Sequence, residues 1–305
     1  MNLGRSTLTR WSPVSTDTGT PQKGVPVPGL FWPAFAILAL LYLTGDQLSN
    51  DMAISVAAGL MLAGGLPHGA FDIALAREAL RLDRMAVTAV LAVYLSAAAF
   101  MLALWWWAPL AALGIFLALS AIHFGEDWQM IESGLLRAMA GASILCVPAF
   151  CHPDVVDGIF VLMAGEGAEW IRRIVVATTP VALLVTFVGM WQSVKSGNLG
   201  WTMSQLAALA GLAVLHPQYG FLLYFVFLHS PLHMRSLGSD LAHWSGTRFW
   251  IYGGLICSLC AALIAVVAPA FYSGDASSMT AEGFRILSIV AAPHLLLTLF
   301  VADFR

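Results

Sequence analysis

Charge is what this sequence has least of. Only 10% of its 305 residues are Asp, Glu, Lys or Arg, while 59% are hydrophobic, and the mean hydropathy is +0.82. Soluble domains carry about 25% charged residues, so a water-soluble fold is excluded. Net charge is −3 and no basic run occurs, which argues against nucleic-acid binding. Cysteine is scarce: Cys146, Cys151, Cys257 and Cys260 are the four present. Cys257 and Cys260 form a C-x-x-C inside an apolar stretch, with no second pair at zinc-finger spacing, and read as small buried residues. No H-E-x-x-H, G-x-S-x-G or Gly-rich phosphate loop appears. Residues 1–28 lack a signal-peptide hydrophobic region and read as a disordered, polar cytoplasmic tail.

What is present is one apolar run after another. A membrane-spanning helix needs about 20 mostly apolar residues. Such segments fall near 30–47, 52–74, 85–107, 109–125, 134–150, 174–193, 199–216, 218–236, 247–271 and 283–302. Residues 153–170 are short and mixed, and read as an interfacial segment. Breaks coincide with Gly and polar residues, as at Gly45-Asp46 and Gly197-Asn198. No linker separates two domains. The expectation is an all-α polytopic membrane bundle of about ten helices, with 29–305 as a single transmembrane domain.

Basic residues favour the cytoplasmic side. With the N-terminus inside, Arg5, Arg10, Lys23, Arg77, Arg81, Arg84, Arg137, Lys195, Arg235, Arg248 and Arg305 are cytoplasmic, and Arg172, Arg173 and Arg285 are outside. An even number of spans returns the C-terminus to the cytoplasm. The expected location is the cell (inner) membrane, multi-pass.

Ionisable side chains at membrane depth are costly and mark function by default. His68 (GGLPHGAFD), His123 (SAIHFGEDW), His229 and His233 (FLHSPLH) and His294 (AAPHLLL) all lie on helices that run from outside to inside. They therefore gather toward one leaflet. His152 and His216 sit at the opposite ends, each before a proline, and His243 lies in a polar loop; all three read as structural. His229 and His233, four apart, share one helix face, which suits chelation of a single metal. Pro231 between them removes a backbone hydrogen bond and bends the helix.

Asp72 follows His68 by four residues, and Asp127 follows His123 by four. A carboxylate one turn away accepts the second ring N–H of a ligating histidine and fixes its tautomer; the alternative is a helix-end charge facing water. His294 reads as structural, with a place behind the metal ligands or in a substrate pocket as the alternative. Imidazole suits iron, zinc or copper. Catalytic zinc usually has three protein ligands plus water, so a fourth histidine argues against hydrolysis; on a six-coordinate iron(II), four histidines would leave two positions open. Phe71, Phe124 and Tyr224 are among the aromatics flanking these histidines, as the walls of a pocket for a long hydrocarbon from the bilayer would be.

The motifs LPHGAFD, IHFGEDW, HSPLH and PHLLL, in this order over roughly residues 30–305, resemble the Brp/Blh family of bacterial and archaeal carotene dioxygenases. The resemblance implies an iron(II)-dependent dioxygenase that splits β-carotene at its central 15,15′ double bond with O2, giving two molecules of retinal. It implies His68, His123, His229 and His233 as the catalytic iron ligands, and retinal supply to a microbial rhodopsin. Three other readings compete. A membrane haem protein for electron transfer would place its ligands on two facing helices. A histidine-lined transporter or proton channel would spread polar residues through the membrane depth. A two-iron desaturase would carry paired histidine boxes, and no His-His occurs here.

Overall fold

Proline and short polar side chains start the helices of this chain, and glycine ends several of them. The computed structural model describes residues 26–45, 51–267 and 276–302, and among these residues every regular element is helical. The expected tail lies outside the described residues, apart from 26–28.

Helix α1 spans Phe31–Leu43 and α2 spans Asp51–Gly69, with α3 (Asp72–Ala79) following a two-residue break. Helix α4 (Arg84–Trp107) is capped by Asp83, whose carboxylate accepts the Ala86 N–H at 2.8 Å. Such a cap satisfies one of the amide donors left free in a first turn. Pro109 opens α5 (Pro109–Gly125), Pro153 opens α7 (Pro153–Ala164) and Pro217 opens α10 (Pro217–Tyr224). Proline fits there because first-turn amides have no helical partner to lose. Between them lie α6 (Gly134–Cys151), α8 (Ala168–Lys195) and α9 (Leu199–Val214). Gly165 (φ 79°) and Gly167 (φ 90°) turn the chain from α7 into α8 through left-handed backbone. A π turn, Phe225–His229, joins α10 to α11 (Ser230–Asp240), followed by α12 (Gly246–Val267) and α13 (Ala276–Ala302).

Six helices among the described residues are long and apolar enough to cross a membrane: Met52–Ala79 taken through its break, Arg84–Trp107, Pro109–Trp128, Gly134–Cys151, Ala168–Lys195 and Ala276–Thr298. The chain is thus a helical membrane bundle. Of the other four expected spans, Phe31–Leu43 and Leu199–Val214 are shorter helices, and 217–240 is divided by the π turn. The span expected at 247–271 runs past Val267 into residues outside the description.

Within the segment expected at the interface, residues Pro153–Ala164 form helix α7. Val156, Ile159, Phe160 and Met163 recur at helical spacing on one face of α7 and are buried, so this face packs into the bundle against α8, α13 and α5. Helix α6 packs between α5 and α8, while α13 lies against α2 and α4. Large apolar side chains such as Phe100, Leu184 and Leu255 point outward, as lipid-facing residues do.

Close backbone approaches set where the histidine-bearing helix ends meet. A Cβ on Gly125 would lie 2.6 Å from the Arg137 carbonyl oxygen, and one on Gly141 would run into the backbone of α5. These two glycines let the end of α5 rest directly on α6. Gly64 and Gly65 likewise leave room for Val226 and Phe225 of the π turn, and the Ser230 hydroxyl donates to the Gly64 carbonyl at 2.8 Å.

Candidate metal centre

Four imidazoles converge inside the bundle. His123 lies in the last turn of α5, His229 closes the π turn, His233 lies one turn on in α11, and His294 lies in α13 directly after Pro293. The His123 ring centroid is 4.8 Å from that of His229, 5.2 Å from His233 and 5.1 Å from His294. His229 is fully buried, and His123 and His294 are nearly so. Nε2 of His123 and Nε2 of His229 are 3.0 Å apart. One ring nitrogen from each of His123, His233 and His294 falls within a group whose members lie within 4.8 Å of one another.

The local chain explains this placement. Pro231 has no N–H, so the helix loses a backbone hydrogen bond there. The break expected there takes the form of a π turn, in which the Ser230 N–H bonds the Phe225 carbonyl five residues back. Such insertions are frequent at functional sites. Pro67 and Pro293 each stand inside a helix directly before a histidine, so two further histidines adjoin a missing backbone bond. His68 lies in the last turn of α2; its side chain is outside the described residues.

Each of two carboxylates holds one ring. Asp127 Oδ2 is 3.0 Å from His229 Nδ1 and accepts the Tyr224 hydroxyl at 2.8 Å. Asp72 lies 2.8 and 2.9 Å from His294 Nδ1 through its two oxygens and accepts the Tyr94 hydroxyl at 2.8 Å. Both arrangements run from tyrosine through aspartate to imidazole. A carboxylate accepting Nδ1–H leaves Nε2 with its lone pair, the tautomer that ligates a metal.

The pairing differs from the one the four-residue spacing suggested. Asp127 holds His229 and not His123, because α5 gives way at Glu126 to a short 3₁₀ turn (Glu126–Trp128) and the register of a straight helix is lost. Asp72 reaches across to His294 because α2 ends at Gly69 and α3 starts afresh at Asp72. Neither carboxylate faces water: their side chains are 9% and 6% exposed. Glu126, not singled out by the sequence, lies 3.5 Å from His123 Nδ1. Tyr94 was also missed. Its signal was a single phenol at mid-helix in the apolar run of α4.

The donor set fits a divalent metal ion. Two ring nitrogens each ~2.1 Å from one ion and at right angles to each other lie about 3.0 Å apart, which matches the His123–His229 spacing. Among the described residues, the hydrogen-bonding partners of Asp72 and Asp127 are imidazoles and phenols, with no Lys or Arg. Two carboxylates buried without a cation are costly in apolar surroundings, and a dication beside them offsets both charges.

An apolar tunnel leads from His123 and His294, walled mainly by side chains of α2, α5, α7, α10 and α13. Phe124 lines it and packs edge-on against Tyr224 and His229, with centroids 5.3 and 5.2 Å away. Phe71 stands elsewhere: it stacks on Phe249 at 4.2 Å, fills the space over Gly253 and does not line the tunnel. His243 pairs with Glu78 at the surface, and His216 packs against Tyr219, both apart from the cluster.

Fold and site together define a helical membrane protein with a buried histidine centre that opens onto an apolar tunnel. The family model for β-carotene 15,15′-dioxygenase matches residues 59–301, and the chain belongs to that family. It is 27% identical over 272 residues to a β-carotene 15,15′-dioxygenase of an uncultured marine bacterium (66A03), covering 80% of this chain and 92% of that protein. No solved structure matches the chain.

Proposed function

We propose that this protein cleaves β-carotene at the central 15,15′ double bond with O2, giving two molecules of retinal, at an iron(II) ion held by His68, His123, His229 and His233. The observation that carries the reading is the meeting of buried imidazoles with an apolar tunnel in a member of this family. His294 belongs to the same wall of rings, held by Asp72.

Bound iron(II) supplies the redox chemistry by which dioxygen reacts with the alkene. The chain's own residues do the rest. The aspartates keep the Nδ1 protons of His229 and His294 in place, so Nε2 of each ring stays a lone-pair donor. Phe116, Phe124 and Phe221 along the tunnel orient a flat polyene and exclude water. The balance is closed: one C=C bond breaks, two C=O bonds form, and both oxygen atoms of O2 end in the aldehydes, with no external reductant.

Substrate and product are both apolar, so the bilayer is the source of one and the sink of the other; the retinal is then available to a microbial rhodopsin. The further parts of the reading are ten crossings, both termini in the cytoplasm, a polar tail over 1–28 and residence in the cell (inner) membrane. Ring centroids of 4.8 to 5.7 Å around one point leave no plane free for a porphyrin between ligands, which speaks against the haem alternative.

The test is expression in a β-carotene-accumulating bacterial host followed by chromatography. Loss of orange colour with retinal formed is the expected result. Unchanged carotene in cells that make the protein well would refute the reading.

A further inference from the structure

The tunnel has a length and a closed end. On α5 it is lined by a single stripe from Leu113 through Phe116, Leu117 and Ser120 to His123, and on α13 by another from Phe284 to His294. From first residue to last, each stripe is ten steps along its helix, or ~15 Å at the α-helical rise. The lining residues recur at helical spacing, so the tunnel runs along the bundle axis. At the end remote from the imidazoles stand Leu113 and Met163, which are 0% and 1% exposed, with Phe160 at 9%. The lining side chains at that end are thus shut off from solvent.

The closed end is also held firmly. Arg285 donates from Nε to the Met163 carbonyl at 2.9 Å and from Nη2 to the Leu162 carbonyl at 2.7 Å. Carbonyls in a last helical turn lack partners within the helix, and here a guanidinium from α13 satisfies them. The last turn of α7 is thereby pinned to α13 at the level of Phe284. Trp105 adds a second tie, donating its indole N–H to Ser288 on α13 at 2.7 Å.

We infer that this closed end, formed by Leu113, Phe160, Met163 and Phe284, sets the position of cleavage by stopping one terminal ring of the carotenoid. A depth of ~15 Å matches a terminal ring with a short conjugated chain, half of a symmetric C40 carotenoid. With the ring against Met163, the central double bond lies beside the imidazoles. Regiochemistry is then a matter of depth, since every double bond of a polyene offers similar chemistry to the oxidant. The inference rests on the proposed reaction for its substrate.

Met163→Ala deepens the tunnel, and Met163→Trp fills it; Phe160→Leu is a milder opening should Met163→Ala fold poorly. Two measurements are made on each purified protein. The first is the chain length of the carbonyl products formed from β-carotene by the iron-loaded protein. The second is binding of all-trans-retinol to metal-free protein, followed by retinol's own emission. The wild type is expected to give retinal alone. The opened variants should shift the cut by one or two double bonds, yielding one aldehyde longer than retinal and one carbonyl product shorter than it, a ketone where the cleaved carbon bears a methyl group and an aldehyde where it does not. Met163→Trp should bind retinol about ten-fold more weakly, the scale of an overpacking cost. Retinal as sole product in the opened variants, with retinol affinity unchanged in Met163→Trp, overturns the inference while leaving the reaction intact. A wild type that forms no retinal refutes the reaction, whereas weakened retinol binding by Met163→Trp would still support the closed end as the ring's seat.

Discussion

Asp72 and His294 are 222 residues apart in the chain, and their side chains meet at 2.8 Å. This contact joins the start of α3 to the middle of α13, and it has a counterpart in Asp127 and His229. Removing the charge while keeping the shape is the direct test. Asp127→Asn and Asp72→Asn should each lower iron affinity 10- to 100-fold, roughly the effect seen when a carboxylate behind a ligating histidine is lost. Iron content after dialysis against a graded chelator series measures this. Wild-type retention in both variants would show that the carboxylates do not tune the rings.

The phenols behind those carboxylates should matter less to the metal and more to the fold. Tyr224→Phe and Tyr94→Phe each remove one hydrogen bond to a buried charge, at a cost of about 1.5 kcal/mol or somewhat more. Tyr224, fully buried, should show the larger loss. Thermal unfolding in detergent reads the stability, and the chelator series reads the accompanying, smaller fall in iron affinity.

Alanine at His68, His123, His229 or His233 should abolish retinal formation and reduce bound iron. His294→Ala separates two roles. Loss of iron comparable with that of His123→Ala would make it a ligand, while full iron with altered turnover would place it on the substrate side. Stripping the wild type with a chelator should end activity, and iron(II) should restore it where zinc(II) does not. Full activity in His229→Ala would remove the basis for the assignment.

The glycine contact between α5 and α6 gives a prediction independent of any metal. Gly125→Ala places a methyl group against the backbone of Arg137, which cannot rotate away as a side chain would. The expected cost is about 3 kcal/mol, the upper end of overpacking penalties, with a lower unfolding temperature and reduced yield. Gly134→Ala, whose nearest neighbour is the far end of the Arg137 side chain at 4.0 Å, should be nearly neutral.

Much of this architecture could be read from residue order, and the limits have physical causes. Apolar runs marked the long helices because lipid-facing and buried residues are both apolar, so composition alone reveals a span. The histidines were conspicuous because imidazoles are rare at membrane depth. The carboxylate partners were not legible, since spacing along one helix identifies a neighbour only while that helix continues. Both Asp72 and Asp127 lie just past a break. Tyr94 faces Asp72 across the α3–α4 turn, a contact that no periodicity encodes. The packing of the short helix α7 was not legible because Asp154 and Asp157 dilute its hydropathy, although its apolar residues fall on one face.

The bond between Asp72 and His294 also bears on how the protein is made. A chain leaving the ribosome has inserted nearly all its membrane segments before His294 emerges, so the fully braced cluster cannot exist on a nascent protein. Bracing of the cluster is therefore a late event in biogenesis, subsequent to insertion of the final helix. A version ending before α13 would reach the bilayer with Asp72 lacking its imidazole.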